Sequence, residues 1–585
     1  MKTATIKTND VLLKDSGQWI HYSQPQHIIM AHHLDEVLPA LQRIDKLVNE
    51  DGLHAAGFLS FESAPAFDKA HQINSTQVKF PLLWFGIYPR ARKFSFPKPD
   101  TIKPEVSWLP TTDRETYNEA IDRIKEHIRT GQTYQVNYTM RLRTNFKTDP
   151  WKFFIHLAQI QNNYAAYIDI GRYVIASVSP ELFFKLDGES ITARPMKGTI
   201  KRGRFTIEDK EKSNWLYNSE KNRAENVMIV DMIRNDLGRI AKIGSVHVPE
   251  LFTLEKYPTL WQMTSTIKAK TDASITEIFT ALFPCASITG APKINTMRII
   301  SELETTPRII YTGSIGYFVP NRKASFNVAI RTVLIDRNKE TAEYGVGGGI
   351  VWDSTSNDEY TEALLKARTL TEDNREFSLF ETMLWTPKEG FFLLEKHIER
   401  LLESADYFDF SNSSNLSKMS LETYLKDISS HFKSPQRVRL ILEKNGKLST
   451  KSEPYQILDD YPKIAVCLAK KPVNTENVFL FHKTSRRSVY DLARKDFPEY
   501  DDVLLYNEQD ELTEFTIGNI VVEMDGKYLT PPVSCGLLAG TFRGHLLKVG
   551  QIQERVIRVE ELKHTNEVFL VNSVRKWQRV NLNVK

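Results

Sequence analysis

The sequence has 585 residues, of which 41% are hydrophobic and 26% are charged. This is ordinary globular composition, and the chain is too long for one hydrophobic core, so we predict more than one domain. Lys and Arg total 77 against 73 Asp and Glu, and the net charge of +4 excludes the broad basic surface that nucleic acid or an anionic membrane would require.

The beginning of the chain, MKTATIKTND, has no apolar signal core, and no window approaches the ~20 apolar residues of a membrane span. The three cysteines, Cys285, Cys467 and Cys535, lie far apart and have neither metal-ligand spacing nor the pattern of a disulfide framework. We therefore expect a cytoplasmic protein.

An amphipathic helix is the first clear element. Residues 117–128 place Ile121, Ile124 and Ile128 on one face, and Gly131 follows as a C-terminal stop. A second helical pattern covers 219–236 and carries Glu225 where its apolar part begins. Taken alone, Glu225 would be interpreted as an exposed side chain.

Two further features are ambiguous when each is read alone. Glu359 and Glu362 share a helix face, and Lys366 lies four residues after Glu362. This pattern suits a solvated helix with a weak ion pair, but it equally suits a carboxylate set for a hard cation such as Mg²⁺. Lys197 lies between an apolar residue and a glycine, and most lysines in such positions are solvated.

Glycine-rich segments at 287–292 and 345–349 predict turns whose backbone N–H groups could approach an anion closely. Walker spacing is missing, so a nucleotide is not indicated.

A polar run at 371–376 separates the helical pattern that ends near Ala367 from a new apolar run at 377–380. Such a charged segment between two periodic patterns predicts a domain junction. We place one domain at 1–372 and the other at 376–585. Both mix strands and helices, with strands predicted at 439–442 and 464–468 and a surface loop at 411–417.

The motifs of the first domain occur in the order found in a known family. They lie at 57–62 (GFLSFE), 131–137 (GQTYQVN), 179–181 (SPE), around Lys197 and Glu225, and at 287–293, 311–316 (YTGSIG) and 330–332. In this order they resemble the chorismate-binding enzymes, which include anthranilate synthase, isochorismate synthase and aminodeoxychorismate synthase component I. The resemblance implies a large α/β sandwich around one deep site.

The resemblance also implies roles for individual residues. Glu225 and Glu362 match the Mg²⁺ ligands, with Glu359 nearby, and Glu181 matches the general acid that protonates the departing ring hydroxyl. Arg331 matches the residue that holds a substrate carboxylate. The remaining predicted substrate-binding residues are Tyr311, Gly313, Gly347, Gly348 and Lys366.

Lys197 distinguishes the branches of this family. Anthranilate synthases carry alanine at this position, whereas aminodeoxychorismate synthases carry a lysine that attacks the ring as a nucleophile and is then displaced by ammonia. Isochorismate synthases place a lysine near Gln135. A family histidine corresponds to Gln262 here, which argues against release of pyruvate in this domain.

No cysteine has the surroundings of a glutaminase nucleophile. Ammonia is therefore expected from solution or from a separate glutamine amidotransferase subunit.

The second domain carries another ordered set of motifs. They lie at 377–383, 397–405, 437–440, 481–484, 512–519, 530–532, 536–540 and 568–573. The set resembles the fold-type IV pyridoxal-phosphate enzymes, namely branched-chain and D-amino-acid aminotransferases and aminodeoxychorismate lyase. It implies that Lys483 binds the cofactor covalently and that Glu514 faces its pyridine nitrogen. Arg400, Thr541 and Ser573 are implied to bind the phosphate. Because this fold commonly pairs, a homodimer through this domain is implied as well.

Together the two resemblances predict 4-aminobenzoate synthesis from chorismate and ammonia, with pyruvate released in the second domain. The lyase prediction depends on the neighbouring domain, because an aminotransferase of another substrate would share the same cofactor residues. An anthranilate synthase is a weaker alternative because of Lys197. A non-catalytic scaffold that binds a glutaminase is weaker still, because the expected ligands and lysines are present.

Overall fold

The computed structural model describes residues 6–74, 79–97, 106–160, 163–367, 370, 376–410, 416–458 and 461–583. The predicted junction at 371–376 and the predicted loop at 411–417 fall mostly outside these ranges. The chain forms two compact units. The first contains Met1–Lys201 and Ser213–Asn374, and the second contains Arg202–Lys212 and Arg375–Lys585.

The first half of the chain supplies the strands of two large sheets. They are β1 (Val11–Asp15), β2 (Gln18–Tyr22), β3 (His27–Ala31), β4 (His54–Leu59), β5 (Leu83–Tyr88), β6 (Ala91–Lys93), β7 (Leu109–Pro110), β8 (Gln135–Asn145), β9 (Tyr164–Asp169), β10 (Tyr173–Ser179), β11 (Leu182–Asp187), β12 (Ser190–Arg194), β13 (Met196–Lys201), β14 (His247–Lys256), β15 (Leu260–Lys270), β16 (Gly290–Ala291), β17 (Ser314–Val319), β18 (Lys323–Val328), β19 (Thr332–Asp336) and β20 (Thr341–Ile350).

Helices lie between these strands in sequence. They are α1 (Leu34–Asn49), α2 (Ala64–Phe67), α3 (Arg114–Arg129), α4 (Pro150–Ile160), α5 (Thr206–Asn218), α6 (Glu220–Gly238), α7 (Ile275–Leu282), α8 (Lys293–Leu303) and α9 (Ser356–Ala367).

The first unit is a sandwich of two antiparallel sheets with helices on the outside. One sheet has the order β16-β8-β20-β19-β10-β9-β1-β2-β6, with β7 on β8, and the other has the order β13-β15-β12-β11-β18-β17-β4-β5-β3, with β14 on β15. Apolar side chains such as Phe58, Trp84 and Ile175 fill the space between the sheets. Because both faces of each sheet are covered, strands such as β10 are buried along their whole length.

The outer helices bury one apolar face each. Ile121 of α3 and Phe154 of α4 join the core on one side of the sandwich, and Ile229 of α6 and Ile278 of α7 join the core on the other. The Asp113 side chain caps α3 by accepting a hydrogen bond from Thr116 N–H at 2.8 Å, which satisfies one of the free donors at the helix start. The predicted helices at 117–128, 219–236 and 359–367 are confirmed as parts of α3, α6 and α9.

The predicted turn at 345–349 is wrong, because these residues lie inside strand β20. Gly347 pairs with Thr139 and Gly349 pairs with Asn137 of β8. The glycines are needed for close packing: a Cβ at Gly345 would lie 2.2 Å from the Tyr311 ring, and one at Gly347 would lie 2.2 Å from the Tyr138 carbonyl oxygen.

The second unit begins with a four-stranded sheet and continues with a larger one. Its strands are β21 (Leu379–Thr386), β22 (Gly390–Phe391), β23 (Gln436–Leu442), β24 (Leu448–Pro454), β25 (Ile464–Leu468), β26 (Asp502–Tyr506), β27 (Leu512–Phe515), β28 (Asn519–Met524), β29 (Lys527–Thr530), β30 (Gln553–Glu554), β31 (Glu567–Asn572) and β32 (Lys576–Asn583). Its helices are α10 (Leu394–Tyr407), α11 (Lys418–Ser429), α12 (Ser488–Lys495) and α13 (Thr541–Lys548).

The small sheet has the order β22-β21-β23-β24, and the large sheet has the order β27-β26-β25-β32-β31-β28-β29-β30. Since β27 also pairs with β28, six of these strands close into a ring. Val466, Leu504, Ile520 and Leu570 fill the core of this sheet. The strands predicted at 439–442 and 464–468 are confirmed as part of β23 and as β25.

The segment Arg202–Lys212 groups with the second unit, a feature that the sequence did not indicate. Within that unit the Tyr407 hydroxyl donates to the Gly203 carbonyl oxygen at 2.6 Å, and the Phe205 ring lies 5.5 Å from the Phe481 ring. Arg202 and Asp209 form a buried ion pair at 2.6 Å. Among the residues described, no helix combines the length and apolar character needed to cross a bilayer.

Candidate active sites

A cavity of about 340 Å³ lies in the first unit. The predicted site residues that line it are Glu181, Lys197, Glu225, Tyr311, Arg331, Gly347, Gly348, Glu359, Glu362 and Lys366. The fold therefore gathers residues that are spread over almost two hundred positions of sequence. Gly313 does not line the cavity: its N–H donates to Ile310, and a Cβ there would meet the Leu59 carbonyl oxygen at 2.2 Å.

A bulge in strand β13 presents Lys197 to the cavity. The pairing of β13 with β15 shifts register between Met196 and Thr199, and Gly198 has a φ of +92°, a conformation that favours glycine. The Gln262 amide fixes this bulge by donating to the Gly198 carbonyl oxygen at 2.9 Å and accepting from Thr199 at 2.9 Å. Burial lowers the pKa of Lys197, although Glu225 and Glu181 oppose the shift.

Glu181 is buried, with 3% of its surface exposed. Burial raises its pKa to about 7, against the opposing effects of the Ser287 hydrogen bond and the charge of Lys197. The Ser287 hydroxyl donates to Glu181 Oε1 at 2.6 Å and so fixes its orientation. The protonated form that a general acid needs is therefore well populated near neutral pH.

Three carboxylates, Glu225, Glu359 and Glu362, and the lysine Lys366 also line this cavity. The Lys366 ammonium contacts Glu362 at 2.8 Å and donates to the Gly347 carbonyl oxygen at 2.9 Å. Lys366 lowers the pKa of Glu362, whereas burial raises the pKa of Glu225 and of Glu359. Oxygen donors of this kind suit Mg²⁺. No three acidic, histidine or cysteine side chains in the described ranges are already gathered around one point, so a cation there would draw on substrate or water oxygens as well.

The glycines of β20 bring side chains from the surrounding elements together. A Cβ at Gly349 would lie 2.2 Å from Gln135 Nε2 and 3.0 Å from Lys197 Nζ, and one at Gly348 would lie 2.9 Å from Glu359 Oε2. The Gln135 amide is buried and has no hydrogen-bond partner within the described structure. Sequence reasoning assigned no role to several other residues of the lining, including Asn137, Trp215 and Lys221. Asn137 and Lys221 lie within the segments 131–137 and 219–236, but nothing in those segments marks them as site residues.

A second cavity, of about 280 Å³, lies in the second unit. Its lining includes all the residues predicted for the second site: Arg400, Lys483, Glu514, Thr541 and Ser573. Lys483 lies beside strand β21, where its carbonyl oxygen accepts from Phe380 N–H at 3.1 Å and its ammonium lies 5.2 Å from the Phe380 ring centroid. Burial lowers the pKa of Lys483 to about 8, and nearby Arg400 acts in the same direction.

Glu514 lies where β27 meets β28. It accepts hydrogen bonds from the Tyr490 hydroxyl at 2.8 Å, from Leu538 N–H at 3.1 Å and from the Asn519 amide at 3.1 Å. Burial raises its pKa to about 7 even though these hydrogen bonds oppose the shift. Three neutral groups therefore hold one carboxyl in a fixed orientation at the cavity wall.

Arg400 is held by a buried carboxylate. Its guanidinium donates to both oxygens of Glu381, at 2.9 and 2.6 Å, and to the Ala539 carbonyl oxygen at 3.0 Å. Although burial alone would raise the pKa of Glu381, Arg400 and His397 lower it to about 2. His397 also contacts the Thr541 hydroxyl at 3.2 Å, which links this group to the start of α13.

The second cavity fits pyridoxal phosphate chemically. It offers a lysine with a lowered pKa, a fixed carboxyl group, and an anion-binding corner where Arg400 lies near the N-terminus of α13. Gly540, directly before α13, packs closely against Asn519: a Cβ on Gly540 would lie 1.9 Å from Asn519 Oδ1. The absence of a side chain at Gly540 leaves the backbone before α13 unobstructed. Ser573 lines the same cavity and donates to the Thr382 carbonyl oxygen at 3.3 Å.

Comparison with known families agrees with this geometry. Residues 95–372 match the family described as chorismate binding enzyme, and residues 378–582 match the family described as amino-transferase class IV. The chain is a chorismate-binding domain joined to a class IV amino-transferase domain. The mixed α/β architecture predicted for both parts is confirmed.

Curated relatives of the chorismate-binding domain carry the name aminodeoxychorismate synthase. The chain is 37% identical over 271 residues to component 1 from Bacillus subtilis, covering 46% of this chain and 57% of the relative. It is 38% identical over 266 residues to component 1 from Escherichia coli, covering 45% and 58%. A chloroplastic synthase from Arabidopsis thaliana is 40% identical over 312 residues, covering 52% and 34%. The chain thus spans between a third and three fifths of the length of these relatives.

Solved structures share the fold of the chorismate-binding domain. Anthranilate synthase component I from Streptococcus pneumoniae superposes with a TM-score of 0.52 at 23% identity, covering 63% of this chain and 91% of that one. The menaquinone-specific isochorismate synthase from Escherichia coli superposes with a TM-score of 0.51 at 18% identity, covering 63% and 90%. At these identities the likeness concerns the fold alone.

Proposed function

We propose that the chain makes 4-aminobenzoate in two steps. The chorismate-binding domain aminates chorismate to 4-amino-4-deoxychorismate, and the class IV domain removes pyruvate from that product. The family match, the names of the curated relatives and the presence of Lys197 in the first cavity support the first step. The single observation that carries it is that Lys197 and the buried Glu181 line one cavity, where desolvation favours the uncharged form of each.

In the first step, neutral Lys197 attacks the ring while Glu181 gives its proton to the departing hydroxyl, which leaves as water. Ammonia then displaces the lysine. Desolvation favours the uncharged form of both groups, which is the form that each role requires. Arg331 and the ammonium of Lys366 face the same cavity and would hold the carboxylates of chorismate.

Mg²⁺ would be held by Glu225 and Glu362, with Glu359 beside them, and would neutralise a substrate carboxylate. The ion pair between Lys366 and Glu362 neutralises one of these carboxylates, and Lys366 would move toward the substrate when a cation takes its place.

Ammonia would come from solution or from a separate glutamine amidotransferase subunit. All three cysteines are free and buried. Burial raises the pKa values of Cys285, Cys467 and Cys535 to about 12, 11 and 12. A thiol with such a pKa is a poor nucleophile, so these residues do not supply a glutaminase site.

In the second step, pyridoxal phosphate would supply the electron sink when it is bound. Lys483 would bind it covalently and, once free, take the proton from the ring carbon that carries the amine. With a pKa of about 8, the lysine has a useful neutral fraction at neutral pH. Glu514 would face the cofactor's ring nitrogen, and Arg400, Thr541 and Ser573 would bind its phosphate. A class IV aminotransferase of another substrate is the alternative for this domain, and it shares every one of these residues.

One incubation tests the proposal. The protein is mixed with chorismate, an ammonium salt, Mg²⁺ and pyridoxal phosphate, and the aromatic product is identified by mass spectrometry. We expect 4-aminobenzoate and an equal amount of pyruvate. Anthranilate as the product would refute the role given to Lys197, and accumulation of the aminated, non-aromatic compound would refute the lyase.

Two variants sharpen this test. Lys197→Ala should abolish most of the amination while the yellow absorption band of the cofactor at Lys483 stays unchanged. Lys268→Ala is the matched control, because Lys268 lies exposed on the neighbouring strand β15 and should retain normal activity. A Lys197→Ala protein that aminates at a near-normal rate would disprove the nucleophile.

A further inference from the structure

The second cavity carries far more positive than negative charge. Its cationic lining residues are Arg400, Arg437, Arg439, Lys483, Arg487 and Arg575, and its one acidic lining residue is Glu514. Like charges in a partly enclosed space repel one another, so such a cavity is stable only if carboxylates elsewhere or a bound anion compensate them.

Among the residues that the structure describes, carboxylates pair with two of these arginines. Arg400 is paired with Glu381, and Arg437 is paired with Glu453. Arg487 donates to the Thr516 carbonyl oxygen at 2.5 Å, a neutral partner.

Arg575 likewise donates to a neutral partner, the Gln578 side-chain oxygen, at 3.0 Å. Within the part of the chain that the structure describes, the Arg439 guanidinium forms neither a hydrogen bond nor an ion pair. Its recorded contact is the Phe380 ring, 4.6 Å from the guanidinium carbon.

Arg439 lies close to the reactive lysine. Both side chains pack against Phe380, with Lys483 Nζ at 5.2 Å and the Arg439 guanidinium carbon at 4.6 Å from the same ring centroid, so they lie within about 10 Å of each other. Both residues line the same cavity, and a six-membered ring with a carboxylate on its far side spans a distance of this order. Burial, together with the charges of Arg437 and Arg487, lowers the pKa of Arg439.

The phosphate of the cofactor does not account for this charge. In the proposed function, the corner formed by Arg400, Thr541 and Ser573 would bind the phosphate. No carboxylate among the described residues forms an ion pair with Arg439, Arg487 or Arg575. A planar guanidinium is well suited to a carboxylate. An apolar amino acid, as used by many aminotransferases, would offer a single carboxylate to three such groups.

We propose that Arg439, supported by Arg487 and Arg575, forms a subsite for a substrate with two carboxylates and thereby selects the ring compound over ordinary amino acids. The inference rests on the proposed function, because the aminated product of the first domain keeps both carboxylates of chorismate. Arg439 binds one carboxylate directly, and the other two arginines share the second.

The test uses the full chain loaded with pyridoxal phosphate and two unreactive probes. One is 3-(carboxymethoxy)benzoate, which carries two carboxylates on a ring, and the other is 3-methoxybenzoate, which carries one. Affinities are measured by isothermal titration calorimetry. We expect the wild-type protein to bind the dicarboxylate more tightly. Arg439→Met should weaken that binding by roughly 10- to 100-fold, the range for a hydrogen bond to a charged group, while binding of the monocarboxylate changes less.

Two further variants separate binding from folding. Arg439→Lys keeps the charge but loses the planar fork, so it should restore part of the dicarboxylate affinity. Arg579→Met is the matched control, because Arg579 lies on strand β32 outside the cavity, paired with Glu567 at 3.6 Å, and it should bind both probes normally. The yellow band of the cofactor should persist in all variants, since none of these changes alters Lys483.

Equal affinity of the wild-type protein for the two probes would overturn the subsite, as would unchanged dicarboxylate affinity in Arg439→Met. These outcomes are distinct from failure of the lyase itself. If the dicarboxylate preference and its loss in Arg439→Met are both found but no pyruvate is formed from the aminated intermediate, the subsite is supported and the lyase assignment is refuted.

Discussion

At the scale of single residues, burial in one cavity favours the uncharged forms of both an acid, Glu181, and a base, Lys197. Desolvation raises the pKa of the glutamate to about 7 and lowers that of the lysine. Their mutual attraction opposes both shifts, yet burial dominates in each case. The result is an acid that keeps its proton more readily and an amine that loses its proton more readily, within one cavity.

This pairing predicts a bell-shaped pH dependence for amination. The rate should rise with pH as Lys197 loses its proton, and it should fall above about pH 7 as Glu181 loses its proton. The apparent pKa values belong to the coupled pair. The measurement is the initial rate of amination at a fixed concentration of free ammonia, so that the titration of ammonium does not enter.

Glu181→Gln should remove the falling limb and lower the rate by roughly 10²- to 10⁴-fold. Ser287→Ala is a milder change. It keeps the carboxyl group of Glu181 but removes the 2.6 Å hydrogen bond from Ser287, which lowers the pKa of Glu181. We expect the falling limb to move to higher pH in that variant. A falling limb that stays in place after Glu181→Gln would exclude Glu181 as the acid.

At the scale of elements, strand β20 determines how closely the parts of the first cavity approach. Its glycines were predicted from composition to form a turn, because glycine clusters usually do. The structure places them in a central strand, because the carbonyl groups of β8 and the side chains of Tyr311, Gln135 and Lys197 need the space that a Cβ would occupy. That need depends on neighbours distant in sequence, so no local pattern reveals it.

Two alanine substitutions in β20 should have different effects. Gly347→Ala places a methyl group 2.2 Å from the Tyr138 carbonyl oxygen, and since backbone cannot easily move, we expect a destabilisation of about 2–3 kcal/mol. Gly349→Ala meets only the ends of the Gln135 and Lys197 side chains, so the protein should fold but aminate poorly. Thermal unfolding and amination rates distinguish the two, and equal unfolding temperatures would contradict the expected difference.

The sequence predicts features that depend on neighbouring residues better than features that depend on contacts between residues distant in sequence. The helix α3 was predictable because Ile121 and Ile124 recur on one face and Gly131 ends the pattern. Motif order was enough to find Lys197 and Lys483, and both line cavities. The convergence of Arg439, Arg487 and Arg575 on one cavity was not predictable from the sequence. Arg439 lies in β23, Arg487 directly precedes α12, and Arg575 lies between β31 and β32, so no regular spacing connects them.

At the scale of the whole molecule, the described lining residues of each cavity come from one unit. All lining residues of the first cavity belong to Ser213–Asn374 or to Met1–Lys201, and those of the second all follow Arg375. If the proposed steps occur in these cavities, we expect each step to proceed without a side chain from the other unit.

This separation predicts that two inactive variants complement each other. Lys197→Ala should retain the lyase step, and Lys483→Ala should retain amination and accumulate the aminated intermediate. When the two proteins are mixed with chorismate, ammonia and both cofactors, 4-aminobenzoate should form again, with a lag that shortens as protein concentration rises. A mixture that forms no 4-aminobenzoate would show that the intermediate does not pass through solution.

The segment Arg202–Lys212 lies within the sequence of the first unit but belongs to the second, so the two units do not simply follow one another along the chain. An excised protein that starts at Arg375 would lack the partner of the Tyr407 hydroxyl and the ring that covers Phe481, two positions before Lys483. The remaining first half would carry this strip, with Phe205 uncovered, between the strand of Lys197 and the helix of Glu225. The chain cannot be split into two self-sufficient enzymes by a single cut, and a gene encoding either half alone would need compensating changes where this strip belongs.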